Sequence, residues 1–180
     1  MSLGLKRGTV ALEPHDDAWD AAARQTIRAL RDILGQDALD IQHVGSTAIR
    51  GTVAKPIVDI AVCVRRLDDA RRHDAALAAQ GIIFRKREFG EQLLYVIGEG
   101  EVRTHHIHVL CSGDPAWRNY NLFRDYLNAA PEAEARYTAL KRALGAACAG
   151  NREAYTQGKA PLIRQLLEEA HAWDAAGHLK

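Results

Sequence analysis

At 180 residues, 47% hydrophobic and 26% charged, the chain has enough apolar side chains for one domain with a sizeable core and no polar tract suited to a disordered linker. A formal charge of +1, from 24 basic and 23 acidic residues, removes the long-range field behind non-specific nucleic-acid binding and leaves room only for a small basic pocket. The longest apolar run, 57–64, contains Asp59 and is too short to span a bilayer, the N-terminus has no apolar signal core, and Cys63, Cys111 and Cys148 lack zinc or disulfide spacing, so a cytoplasmic protein with buried thiols and no membrane partner is expected.

Residues 17–34 place Trp19, Ala23, Ile27, Leu30 and Leu34 at helical spacing, with Asp16 or Asp17 able to cap and Gly35 positioned to stop, which predicts an amphipathic helix. A short strand is predicted over 39–44, broken by Gly45 before Ser46 and Thr47, where a helix could begin. The β-branched run 57–64 reads as a buried strand feeding a helix over 67–80 that stops at Gly81. Strands 92–97 and 102–110 flank Gly98-Glu99-Gly100, whose glycines permit the positive dihedrals of a tight hairpin, and are expected to pair antiparallel.

From Asp114 the pattern turns helical. Pro115 and Pro131 suit first turns, and Ala133, Tyr137, Leu140, Leu144 and Ala147 repeat at three and four. Pro161 is read as opening a last helix, striped by Leu162, Leu166, Ala170 and Trp173 and ending near Gly177. These elements imply an α/β (α+β) fold in one domain spanning 1–180, a sheet from the first half with a helical C-terminal half packed against it.

The chemistry concentrates in two segments. In His43-Val44-Gly45-Ser46-Thr47, backbone amides at a helix start and two hydroxyls offer donors to a phosphate, and glycine lets it approach; an ordinary helix cap uses the same residues. Lys55 is a cation shortly before the second strand, and Asp59 inside a run of Ile and Val must be desolvated unless a cation, a metal or donors meet it. Strand alternation sets Asp59 apart from Val58, Ile60, Val62 and Val64 and puts His106 and His108 together, opposite His105, Ile107 and Val109. Two imidazoles about 7 Å apart along a strand can meet one ligand. The helical half offers Arg124, Asp125, Lys141, Tyr155 and Lys159 as polar candidates. Of these, Arg124 as a guanidinium fork and Lys159 as a point charge suit phosphate, whereas Asp125 and Lys141 read as solvated helix faces.

Taken in order and spacing, HVGSTAIRGTVAKPIVDIAV, RTHHIHVL, FRDYL, Tyr137-x-x-Leu140-Lys141 and YTQGK resemble the GrpB family, as do Pro14-His15-Asp16 before Trp19 and the closing helix with Trp173. The resemblance spans nearly the whole chain and implies the nucleotidyltransferase superfamily fold, a mixed β-sheet flanked by helices in which a Gly-Ser turn holds phosphates and acids on neighbouring strands hold a divalent metal. Gly45 and Ser46 match that turn, Thr47 follows it, and Asp59 matches the first acid; the second acid position is Ala61, and Arg50 stands where proline is usual. The superfamily pattern implies a divalent ion, expected to be Mg, Mn or Zn; His106 and His108 occupy the place of the third acidic strand, and imidazole favours zinc, iron, nickel or manganese over magnesium. Arg103, opening the RTHHIHVL segment, joins Lys55, Arg124 and Lys159 among the expected ligand-binding cations. Some relatives are joined to dephospho-coenzyme A kinase.

Three functions are expected on these grounds. The first is transfer of a nucleotidyl or phosphoryl group from a bound nucleotide, with Gly45, Ser46 and Lys55 at phosphate and Asp59 at metal. The second is a binding module that holds a nucleotide or phosphorylated metabolite in the same pocket without turnover. The third is a metal-dependent hydrolase in which Asp59, His106 and His108 hold one ion and its bound water attacks.

Overall fold

The computed structural model describes residues 3–88 and 92–177. In chain order its elements are β1 (Leu5–Lys6), α1 (Asp17–Leu34), β2 (Ala38–Val44), β3 (Val58–Val64), α2 (Leu67–Arg71), α3 (Asp74–Ala79), β4 (Ile83–Glu88), β5 (Gln92–Ile97), β6 (Val102–Arg103), β7 (His105–Cys111), α4 (Pro115–Ala129), α5 (Pro131–Ala147) and α6 (Arg152–Ala175). Five strands form one sheet in the order β2-β3-β7-β5-β4, where β3 and β7 run parallel and the other neighbours antiparallel. β1 and β6 form a separate two-stranded ribbon.

Alternation along the strands divides the sheet into two faces. Val58, Ile60, Val62 and Val64 of β3, with Ile107 and Val109 of β7 and Leu93 and Tyr95 of β5, pack against Trp19, Leu30 and Leu34 of α1 and against Leu67 and Leu77 of α2 and α3. Each such buried aliphatic side chain contributes about 1.5–3 kcal/mol, so this layer fixes the sheet in place. On the opposite face Val44, Ala61 and Leu110 meet Ala116, Trp117 and Tyr120 of α4. A third cluster, with Leu127, Ala133, Tyr137 and Leu166, ties α4, α5 and α6 to Ile49 just after β2. The candidate chemistry lies between that second face and the C-terminal helices. No helix among the described residues is long and apolar enough to cross a membrane.

The first helix obeys its sequence signals closely. Asp16 accepts from the Ala18 N–H at 2.9 Å, and Gly35 leaves the helix at φ +52°. Asp114 likewise caps α4 through the Ala116 N–H, with Pro115 in its first turn. Other expectations are corrected. The helix over 67–80 is two short helices broken at Arg72 and His73, and the His73 ring reaches across to Asp37 at 2.8 Å instead of continuing the turn pattern. The sequence pattern gives no sign of β4, because its cations mask the alternation that an edge strand otherwise shows.

The strand 102–110 is also divided: Val102 and Arg103 pair with Lys6 and Leu5, and only from His105 does the chain join the main sheet, where Ile97 pairs with His105. The link is therefore wider than a tight hairpin, although Gly98 and Gly100 do carry positive φ. Pro161 does not open the last helix. It lies inside α6, which starts at Arg152 because the Asn151 side chain accepts from the Ala154 N–H at 3.0 Å and Tyr155, 1% exposed, is buried at once. That cap and that burial offset the backbone hydrogen bond a proline removes.

Candidate functional site

The parallel pairing of β3 and β7 sets Asp59 opposite His106 and Ala61 opposite His108, all on the sheet face turned towards the C-terminal helices. The Asp59 carboxylate oxygen Oδ1 accepts from His106 Nδ1 at 3.1 Å and lies 3.7 Å from His108 Nε2. The two rings are 6.3 Å apart between centroids, and His108 rests against Tyr120 at 5.3 Å. Burial alone would raise the Asp59 carboxyl, but the hydrogen bond from His106, the nearby His108 ring and the charge of the two imidazoles outweigh it and hold the group well below the usual carboxylate range. Asp59 is therefore an ionised hydrogen-bond acceptor.

The end of β2 meets this carboxylate through Gly45, which has φ +70°. A Cβ there would stand 2.6 Å from Asp59 Oδ2, so glycine is required both by the backbone and by the approach of the acid. The next residues, Ser46–Ala48, form one 3-10 turn and not the start of an α-helix. The turn is pinned from behind: His43 Nδ1 lies 3.3 Å from Asp20 Oδ1 and its Nε2 lies 2.9 Å from Thr47 Oγ1, so Asp20 selects the tautomer that accepts from the threonine. Thr47, 1% exposed, is thus a support of the turn and does not line the cavity. Ser46 Oγ lies 3.2 Å from the Tyr137 hydroxyl and borders the cavity.

Opposite Asp59 stand cations. A cavity of about 390 Å³ is lined by Gly45, Ser46 and Asp59 on the sheet side and by Lys55, Lys141, Arg152 and Lys159 around them. Tyr155 gives two of the lysines a common seat, with Lys159 Nζ 4.6 Å and Lys55 Nζ 5.4 Å from its ring centroid. Burial, reinforced by Arg152 and Lys159, pushes the Lys55 amine down to about 8. Burial also lowers Lys159, with the Asp59 charge opposing it.

Lys141 is the most confined of the four. It is 1% exposed, its Nζ has no hydrogen-bond partner among the described residues, and it lies 4.8 Å over the Tyr137 ring. Burial, with Lys159 and Lys55 nearby, depresses it well below an ordinary lysine. Against the one carboxylate among the described lining residues, four cations converge.

Several sequence expectations land elsewhere. Lys141 is no solvated face, and the sequence does contain the sign of it: it continues the buried stripe Ala133, Tyr137, Lys141 at intervals of four. Arg152 carries no signal of its own, because a last helix opening at Pro161 would leave it outside any element. Arg124 does not line the cavity: its guanidinium donates to Asp125 at 2.7 and 3.1 Å, to Gln42 at 3.2 Å and to the His43 carbonyl at 2.9 Å, joining α4 to β2. Arg103 donates to the Gly100 and Val102 carbonyls and borders a neighbouring cavity. His105 points to the core face, where its Nε2 meets Thr26 at 3.2 Å and burial draws it down to about 4.

A resident magnesium ion fits these residues poorly. A hard cation needs several oxygen ligands, and Ala61, at the expected second acid, is fully buried in the apolar layer under α4, where a carboxylate would be stranded. The donors of Asp59, His106 and His108 do not gather within 4.8 Å of one another; among the described residues only His15, Asp17 and Asp20 do so. With four cations around it, the site suits an anion.

A second cavity, of about 290 Å³, shares Gly45, Ser46, Asp59, Tyr120 and Lys159 with the first and continues between α4 and α6 over Phe123, Tyr137, Ile163 and Leu167. The combined space is cationic at one end and aromatic at the other.

Comparison with known proteins bears on this arrangement. The family profile described as GrpB protein matches residues 9–169. The chain is 33% identical over 172 residues to the glutamate-rich protein GrpB of Alkalihalophilus pseudofirmus, covering 93% of this chain and 99% of that one. It is 31% identical over 159 residues to the UPF0157 protein YqkA of Bacillus subtilis, and 29% identical over 199 residues to the dephospho-CoA kinase of Mycolicibacterium paratuberculosis, covering 88% and 96% of this chain. The chain spans about half the length of these two relatives, 46% and 49%. Among solved structures, the conserved protein GrpB from Enterococcus faecalis superposes with a TM-score of 0.81 at 26% identity, over 89% of this chain and 96% of that one. Cid1 in complex with its short product ApU superposes with a TM-score of 0.50 at 16% identity, over 82% and 48%, a likeness of fold alone. The nucleotidyltransferase-like fold expected from the sequence is the one observed.

Proposed function

The chain belongs to the GrpB family, and we propose that its pocket binds a nucleotide, with the phosphates against Lys55, Lys141, Lys159 and Arg152 and the base among Tyr120, Phe123 and Ile163. The observation that carries this reading is Lys141, a residue of the cavity wall whose amine is buried and has no hydrogen-bond partner among the described residues. Leaving such a group unsatisfied costs about 1–3 kcal/mol, which a phosphate oxygen in the cavity would relieve. A diphosphate or triphosphate also balances the surplus of cations, and the Ser46 hydroxyl adds a donor at the same wall. Asp59, held ionised by its histidines, accepts a hydroxyl of the sugar.

The aromatic end favours a nucleotide over a bare polyphosphate or a sugar phosphate, because stacking on aromatic rings rewards a flat base. A divalent ion held by the protein alone is not part of this reading. Equilibrium titration with nucleoside mono-, di- and triphosphates, with pyrophosphate as the control that lacks a base, tests it. Nucleotides should bind more tightly than pyrophosphate, and both should weaken in Lys159→Ala. Pyrophosphate binding as well as any nucleotide would remove the base from the proposal, and no binding by either would remove the pocket. Consumption of the nucleotide in the same samples, with pyrophosphate or phosphate released, would extend binding to transfer.

A further inference from the structure

A third cavity, of about 380 Å³, opens beside the main pocket and shares two residues with it, His106 and Arg152. Its other polar walls are Arg7, Arg85, Lys86 and Arg103, and among the described residues none of its lining side chains is acidic. Leu94 and Val96 of β5 form its floor; Val96 pairs with His106, so this cavity lies on the same sheet face as Asp59, displaced towards the β4 edge. A chain of net charge +1 has thus gathered five guanidinium or ammonium groups at one opening.

Two features of the backbone bring those cations there. In β4 the pairing with β5 slips between Phe84 and Lys86, where Phe84 faces Tyr95 and Lys86 faces Leu94. Consecutive residues of a regular strand point to opposite faces, whereas a bulge turns an extra side chain to the same side. Arg85 and Lys86 accordingly line one cavity. Charges and bulges on an edge strand both discourage pairing with other chains, but that purpose needs no second set of cations from outside the strand. The second feature is the β1–β6 ribbon, whose pairing of Leu5 with Arg103 brings Arg7 and Arg103 to the same rim.

Resting on the nucleotide reading of the main pocket, we infer that this cavity is a second anion subsite, which takes a further phosphate group of the same ligand at a position remote from the first. The ligand class is a small molecule phosphorylated at two separate positions, with Arg152 and His106 at the junction between the two groups. The near-neutral charge of the chain argues for a small ligand over a long nucleic acid, which depends on an extended field.

The probes are AMP and adenosine 3′,5′-bisphosphate, titrated by calorimetry at fixed salt against the wild type, Arg85→Gln and Arg7→Gln. Both residues are exposed, so the variants should fold, and unchanged melting temperatures will verify it. The bisphosphate should bind about tenfold or more tightly than AMP to the wild type, the range for a charge-assisted contact, and each substitution should remove most of that advantage while leaving AMP affinity within about twofold. AMP binding with no advantage for the bisphosphate would overturn the second subsite and leave the main pocket standing. Binding of neither would overturn both readings. A short oligoribonucleotide binding more tightly than the bisphosphate, with a steeper salt dependence, would overturn the small-ligand assignment. Self-association of the variants with nucleotide affinities unchanged would reduce the cations to guards of the edge.

Discussion

Replacing Lys141 by methionine should move stability and affinity in opposite directions. The side chain is 1% exposed, and its Nζ has no hydrogen-bond partner among the described residues. Methionine keeps the unbranched shape and removes the polar atom, so the folded protein sheds the penalty of an unsatisfied buried group, about 1–3 kcal/mol, less whatever the Tyr137 ring returns through its contact with the amine. For a domain of this size each kcal/mol is worth about 2–4 °C in melting temperature, so the ligand-free variant should melt several degrees higher. A hydrogen bond to a charged phosphate is worth about 1.5–3 kcal/mol, so the best nucleotide should bind about 10- to 150-fold more weakly. Differential scanning calorimetry and isothermal titration on the same preparations read both quantities. A variant that melts lower, or that binds as tightly as the wild type, would refute the argument, because Lys141 would then be a structural residue whose partner lies within the fold.

The same geometry sets three other outcomes. The Lys55 amine, pushed down to about 8 by burial, loses its charge on the alkaline side, so nucleotide affinity should fall as pH rises through about 8, with proton uptake on binding visible as a buffer-dependent heat; a flat profile from pH 7 to 9.5 would exclude Lys55 from the phosphate contacts. In the ligand-free protein the unfolded chain binds the proton more strongly, so the stability this group costs below about pH 8 is recovered as pH rises from about 8 to 10.5. Ser46→Ala should weaken the nucleotide about tenfold and cost the fold about 1 kcal/mol through the stranded Tyr137 hydroxyl; lost stability with intact affinity would make the serine a structural partner only. Asp59→Asn should reduce stability by about 1.5–3 kcal/mol at neutral pH and flatten its decline in acid, since the depressed wild-type carboxyl stabilises the fold above the ordinary aspartate value and loses that contribution as pH falls below it. Zinc titrations of both proteins complete that test: tight binding by the wild type and none by the variant would restore the metal reading.

Much of the site is legible in the chain because it rests on local rules. Alternation along a strand is set by backbone geometry, so the parity of Asp59, His106 and His108, and the separation of His105 from that pair, can be read without knowing the fold. Capping and stop signals at Asp16, Gly35, Asp114 and Pro115 act within one turn and are equally visible. The motif around Gly45 and Ser46 marks the turn that borders the cavity, although the chain continues as a single 3-10 turn.

Tertiary packing decided the rest. Whether a helical lysine meets water or a cavity depends on which neighbours cover it, and Lys141 is enclosed only because α4, α5 and α6 close over the sheet. Arg124 has the chemistry of a phosphate ligand, but Asp125, Gln42 and the His43 carbonyl already claim its donors. The bulge in β4 depends on register with β5, a non-local quantity, and it is what turns Arg85 and Lys86 to one side. Composition therefore provided for a sizeable apolar core, and periodicity settled which faces the elements would present. Long-range contacts alone settled which cations converge, because convergence is a relation between segments far apart in the chain and no local pattern records it.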